Sequence, residues 1–366
     1  MSVQQEERTP TSQSARLSLS SLLQYIAPLL LTALLIVMVW IASDIAVPEL
    51  LSPWTGRLQG FVTIFLGIFI EALPFLMAGV LVSSVIHLFV SPDQIRRFSP
   101  RNPFLAALFG SVLGLVFPVC ECGSIPATRR LLRKGAALPA GIAFALAAPV
   151  INPIVLISTY VAFGNWEMVA WRFGLTLLFA VIVGVLVGTP SDPSQVLAPQ
   201  VCNHDHDHDH DHDHDHDHDH DHDHDHDHDA QDGAIRRILG HANIEFFEMS
   251  RYLIIGALLA ATLQTIVPQQ ALLALGNGPV VSVLVMIALA VILSVCSTVD
   301  SFIALSFVNT FTSGSILAFL VFGPMIDIKS TLMLTTTFNR RTVAIIVLLC
   351  FQLALLAGVL INFYQG

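Results

Sequence analysis

The sequence predicts an all-α polytopic membrane protein built from two inverted-topology repeats. Each repeat carries a re-entrant or broken helix hairpin, and there are about 7–9 membrane segments in all. Three observations predict this. The chain of 366 residues is 54% hydrophobic and 12% charged, with mean hydropathy +0.71, where soluble domains carry about 25% charged residues. Its apolar residues fall into runs that match the roughly 20 residues a helix needs to cross a hydrocarbon core. Short strings of the first half also recur in the second, in the same order and at a nearly constant offset.

Residues 1–21 are polar and form an expected cytoplasmic tail. The run 22–42 is long enough to span and longer than the apolar core of a cleaved signal, so it reads as a retained first helix. Further apolar segments cover approximately 58–90, 104–119, 136–163, 168–188, 244–267, 279–296, 315–337 and 342–363. The chain therefore divides into a first membrane half, 22–189 (repeat about 58–163), and a second, 236–366 (repeat about 244–338, final helix 342–363). A polar loop at 190–235 separates them.

Basic residues choose some breaks and avoid others. Arg8 and Arg16, Arg96 to Arg101, Arg129 to Lys134, Arg236 and Arg237, and Arg340 and Arg341 should all face the cytoplasm. A plain crossing at 104–119 would put Arg101 and Arg129 on opposite sides. The conflict disappears if 104–132 enters from the cytoplasm, turns at the C-E-C-G-S-I-P string and returns. Such a hairpin is tolerated at membrane depth only inside protein or against a water-filled cavity, and Pro118, Gly123 and Pro126 suit the break.

The repeat is legible as "EALPFLMAGV", "VFPVCECGS" and "ALAAPVINP" against "EMSRYLIIGA", "ILSVCSTVDS" and "LVFGPMIDI". Glu71 aligns with Glu248, Gly79 with Gly256, Cys120 with Cys296 and Pro149 with Pro324, all at an offset near 176. The loop at 268–279 has no basic residue, so the second half enters its hairpin from outside. Opposite topologies of two repeats, with a site near the midplane where broken helices meet, is the plan of many secondary transporters.

The substrate-binding candidates follow from cost and chemistry. Cys120, Glu121 and Cys122 place two thiols around one acid at the break, and the pseudo-twofold brings Cys296 opposite. Thiolates suit soft or borderline ions. Charged residues inside a membrane are costly and default to functional roles. This selects Glu71, Asp300 and Asp327, with Asn152 as the counterpart of Asp327 after the paired prolines. Lys329 is either a counter-ion to Asp327 or a residue that extends to the interface. Glu248 reads as an interfacial ion pair with Arg251. Cys350, in an unbroken helix, reads as packing.

The tract 204–229 alternates His and Asp. It holds 13 of the 27 acidic residues, so the remaining body has 14 acids against 17 bases despite a formal net charge of −10. It has too little apolar surface to fold and reads as a disordered cytoplasmic loop. Its imidazoles, His204, His206, His208, His210, His212, His214, His216, His218, His220, His222, His224, His226 and His228, can bind Zn, Ni, Cu or Co with little selectivity. An expanded repeat without a role is the alternative. No cofactor is required elsewhere. Five cysteines without a secreted framework argue against disulfides, and nothing in the charge pattern points to nucleic acid. There is no G-x-x-x-x-G-K-[ST], G-x-S-x-G or H-E-x-x-H, so energy must come from a gradient, the membrane potential or a separate subunit.

These strings, with "FPVCECGSIPATRRLLRKG" and "FALAAPVINPIVL", resemble the predicted permease family of bacterial inner-membrane proteins, which includes organoarsenical efflux permeases. The resemblance spans roughly 58–363 without the His/Asp tract. It implies an inner-membrane permease, not an enzyme, with Cys120 and Cys122 as candidate substrate ligands. The expected activity is secondary transport of a small inorganic or organometallic solute, a thiophilic metal or metalloid ion. Membrane lipid surrounds the chain, and an accessory subunit is left open. Two other classes stay open: a membrane-bound metal sensor or partner regulator acting through the His/Asp loop, and an intramembrane thiol redox enzyme using Cys120 and Cys122.

Overall fold

The computed structural model describes residues 52–89, 100–117, 119–189, 193–198, 229–267 and 278–365. The expected tail, the run 22–42, Pro118, Cys202 and all thirteen tract histidines lie outside them. Residues 52–63 group apart from 64–366. In the first group the Thr63 hydroxyl donates to the Gln59 carbonyl one helical turn back.

The described residues are helical throughout their regular elements, and the order of helices runs twice. The first half has α1 (Ser52–Phe89), α2 (Pro103–Val116), α3 (Glu121–Arg133), α4 (Leu138–Ile151), α5 (Pro153–Phe163) and α6 (Trp166–Gly188). The second has α7 (Asp229–Ile266), α8 (Val281–Leu293), α9 (Asp300–Leu305), α10 (Ser313–Met325), α11 (Ile328–Leu334) and α12 (Arg340–Gln365). Each half thus opens on a 38-residue helix. A pair of short helices across a break follows, then a broken helix, then a long straight one.

The breaks have local causes. α2 starts where Asn102 accepts from the Phe104 amide, with Pro103 at the first helical position. α4 stops at Asn152 because a residue before proline is pushed out of the helical region, and Asn152 has extended backbone before Pro153. Its side chain then accepts from the Val155 amide and starts α5. At the equivalent place in the second half, Asp327 and Ser330 exchange hydrogen bonds in a capping box that starts α11. α8 ends at Ser294, whose φ of 45° makes it the only non-glycine residue with positive φ among the described residues.

Among the described residues, six segments are long and apolar enough to cross a membrane: Gly56–Ser84, Leu138–Phe163, Trp166–Gly188, Glu245–Ile266, Ser313–Leu334 and Arg340–Tyr364. α2 and α8 are apolar but short, at 14 and 13 residues. At 1.5 Å per residue they reach only about 20 Å, less than the roughly 30 Å of hydrocarbon. The two broken spans are 78% and 83% buried, against 28% for the outermost segments, so the broken helices form the centre of the bundle. That agrees with α4 being apolar on every side: a helix without a polar face must be enclosed.

Within the region 190–235, read from sequence as a loop, the described residues carry regular structure. Residues 193–196 form a helical turn, Leu197 bridges Phe338, and the Ala198 amide donates to the Thr337 carbonyl at 3.0 Å. Val196, Leu197 and Phe338 are apolar and buried, which is why this strip docks where composition alone suggested a solvated linker. At the other end α7 begins at Asp229.

Candidate functional site

Four helices begin at the four breaks, and each begins on a polar or thiol-bearing residue. Cys120 precedes α3 and Glu121 opens it. Asn152 caps α5, Asp300 opens α9, and Asp327 caps α11. The free N–H groups of a helix start carry partial positive charge, so the breaks gather four such ends in the most buried part of the bundle. The halves interlock there. α3 of the first half packs on α11 of the second, and α9 of the second on α5 of the first.

At the α3–α11 contact, Lys329 lies between two carboxylates. Its Nζ is 3.6 Å from Glu121 Oε1 and 3.6 Å from Asp327 Oδ2. All three residues are at most 3% exposed. The lysine therefore does not extend to the interface. It is a shared internal counter-ion, held by the low cost of pairing compared with leaving any of the three charges alone. Both distances are long for hydrogen bonds, and Glu121 Oε2 and Asp327 Oδ2 accept none in the structure. Asp327 uses its other oxygen, Oδ1, to accept from the Ser330 amide at 2.6 Å. Glu71 is only partly buried. Its charge reaches Lys329 without forming a close ion pair.

The thiols surround this cluster. Cys120, Cys122 and Cys296 are free and buried. Cys122 is close enough to Cys120 for the two thiols to influence each other, and Cys296 is within electrostatic reach of Cys120 and Glu121. The Thr298 hydroxyl points to Cys296 Sγ at 3.5 Å. Among the described residues, no three His, Cys, Asp or Glu side chains are arranged to hold a metal ion. Cys120, Glu121, Cys122, Cys296 and Asp327 lie near one another, with Glu71 at longer range, and they do not form a closed metal cage. Cys350 is buried on α12 and packs in the core, in keeping with its sequence reading.

Two candidates have other duties. Asn152 is occupied by its cap and by donating from Nδ2 to the Val119 carbonyl at 3.3 Å, which ties the α4–α5 break to the Cys120 turn. Asp300 is held by Arg172, with guanidinium to carboxylate distances of 2.6 and 3.1 Å. Arg172 also donates to Thr159 and Ser301, each at 2.8 Å, and is completely buried. The sequence reading passed over Arg172. The available signal was an arginine deep inside an apolar run, which by its cost needs a buried carboxylate partner.

A second group of ion pairs joins α3 to α7. Arg129 Nη1 meets both oxygens of Glu248 at 2.8 Å, and Arg130 Nε lies 3.5 Å from Glu245, which also accepts from Ser83. Glu248 is therefore paired across the bundle and not with its neighbour Arg251. Arg129, one of the basic residues that the charge pattern places towards the cytoplasm, is itself buried.

Six apolar spans among the described residues, and broken helices meeting at a buried charged cluster, define a polytopic helical membrane protein with a polar centre at its broken helices. The chain belongs to the family described as "Predicted permease", which matches residues 57–363. It is 46% identical over 305 residues to UPF0718 protein YcgR of Bacillus subtilis (strain 168), covering 82% of this chain and 96% of that one. It is 36% identical over 284 residues, 76% of this chain and 87% of the other, to a Streptococcus mutans protein named "Putative two-component membrane permease complex subunit". A third relative, UPF0718 protein YraQ of Escherichia coli (strain K12), is 25% identical over 136 residues, 37% of this chain and 38% of that protein. No solved structure matches the chain.

Proposed function

We propose that the protein is a secondary permease that moves a small thiophilic metal or metalloid species through the junction of its two broken-helix pairs, and that it is a transporter and not an enzyme. The observation that carries this reading is the Glu121–Lys329–Asp327 cluster beside Cys120, Cys122 and Cys296. One half supplies the acid and two thiols. The other supplies the lysine, the second acid and the third thiol. A species bound there contacts both halves at once, and alternating access requires such a contact. The absence of a closed cage favours transient binding, since a transported ion must leave again.

The repeated order of helices and the crossed packing of α3 on α11 and α5 on α9 support an inverted-repeat arrangement. α2–α3 and α8–α9 are then hairpins entering from opposite sides. In this topology the cell inner membrane holds the chain with its N-terminus and His/Asp tract in the cytoplasm. The tract serves as a low-selectivity metal collector for Zn, Ni, Cu or Co. By analogy with the Streptococcus relative's name, the permease works with a separate subunit.

The test is metal and metalloid accumulation in a deletion strain, followed by flux in proteoliposomes. Wild-type protein should carry at least one thiophilic species, and Cys120→Ser with Cys122→Ser should not. Equal flux through both proteins would remove the thiophilic reading. Reporter fusions after Gly188 and after Gly366 should lie on opposite sides; the same side for both would remove the inverted topology.

A further inference from the structure

Beyond the transport path, a groove of about 950 Å³ opens on the flank of the second half, between α8 and α12 and floored by α10 and α11. Its walls are apolar, with Ile287, Val347 and Phe351 among them. Thr331 and Thr335 place hydroxyls on its floor, and Arg340 stands at one end. From Arg340 to Phe351 is eleven steps along a continuous helix, about 17 Å. That is roughly half of a 30 Å hydrocarbon core, the depth of one leaflet.

Arg340 and its neighbour Arg341 are exposed at the first two positions of α12, where the helix dipole favours anions and not cations. The first turn of α12 has no acidic residue, and neither arginine is ion-paired to a carboxylate among the described residues. Among the described residues, the end of the groove therefore carries positive charge without a carboxylate partner, and its lining is apolar apart from Thr331 and Thr335 on the floor.

We infer that this groove is a binding site for one anionic phospholipid, with the phosphate on Arg340 and an acyl chain laid along Val347 towards Phe351. A charged head above a one-leaflet apolar slot is the shape and polarity of a phospholipid. A transmembrane helix of a partner subunit fits less well, because it needs the full bilayer depth and would bring no anion to Arg340. Lipid held here would rest against α11, the helix that carries Lys329, so its presence can bear on the stability of the broken pair.

Purified full-length protein, depleted of lipid, is titrated with phosphatidylglycerol or phosphatidylcholine of identical chains and read by native mass spectrometry and thermal melting. One basic residue near a membrane surface attracts anionic lipid enough for about a five-fold preference. The wild type should retain phosphatidylglycerol with that preference and melt at a higher temperature in its presence. Arg340→Gln should lose the preference while keeping its fold, and Val347→Trp should fill the slot and lower the number of retained lipids by one. Arg341→Gln separates a specific headgroup contact from general surface charge, and should keep most of the preference. Equal retention of both lipids by the wild type overturns the inference. So does an unchanged preference in Arg340→Gln, or crosslinking from position 347 to a co-purified protein helix instead of lipid.

Discussion

The helix breaks at Cys120 and Cys296 each bury an acid and differ in how that acid is held. At the first, Glu121 shares Lys329 with Asp327 across two 3.6 Å gaps, and each carboxylate keeps an oxygen free of hydrogen bonds. At the second, Asp300 is clamped by Arg172 through two short contacts, with Thr159 and Ser301 completing the guanidinium's partners. The first break has two thiols and is followed by thirteen residues of helix; the second has one thiol and six residues. A planar guanidinium fixes a carboxylate in one geometry, whereas an ammonium is a point charge that can be shared. The difference teaches that both breaks bury an acid, at positions the repeat does not align, and that the partner each acid meets decides how firmly it is held. In our reading the first break is the site and the second is the fastener.

The largest effect should come from the fastener. Arg172→Leu leaves Asp300 buried without its cation, a loss of about 3–5 kcal/mol. The yield of folded protein on size-exclusion chromatography should collapse, and Arg172→Leu with Asp300→Leu should recover most of it. If the single variant is stable but inactive, the second break is part of the site and the contrast fails.

Next is the first break itself. Cys120→Ser with Cys122→Ser should abolish flux in proteoliposomes with near-normal protein level, because both positions are small and the helix starts do not depend on the thiols. Cys296→Ser should be intermediate, since Thr298 is nearby.

The packing of the long helices gives a smaller and graded difference. A methyl group on Gly79 would lie 2.1 Å from the Gly123 Cα, and one on Gly256 2.9 Å from the Lys329 Cα. Gly79→Ala should cost about 1–3 kcal/mol by forcing α1 off α3, and Gly256→Ala should cost less. Melting temperatures in one detergent rank the two.

Glu248→Gln should cost only about 1 kcal/mol, as the Glu248 side chain is 30% exposed and its pair with Arg129 is partly screened. Cys350→Ser, away from both breaks, should leave flux unchanged. A transport defect there would mean that the thiols act through the core and not through the first break.

Much of the molecule follows from the sequence by itself. Apolar run length gives the spans, because a hydrocarbon core accepts only segments whose backbone is satisfied internally. The breaks at Asn152 and Asp327 fall inside runs that read as single segments, 136–163 and 315–337, although the rules that make them, a residue before proline and a capping box, are local ones. The cost of charge in an apolar run marks Glu71, Asp300 and Asp327 as functional candidates, and the C-E-C string marks Glu121. Which partner each one has is not local. Arg172 reaches Asp300 across 128 positions, and Lys329 reaches Glu121 from the other half. Arg129 finds Glu248 and not the arginine's sequence neighbours, and the strip at 193–198 docks on Phe338 instead of remaining a linker. Pairing energy in a buried place depends on which side chains the packing brings within a few ångströms, and only the tertiary structure decides that.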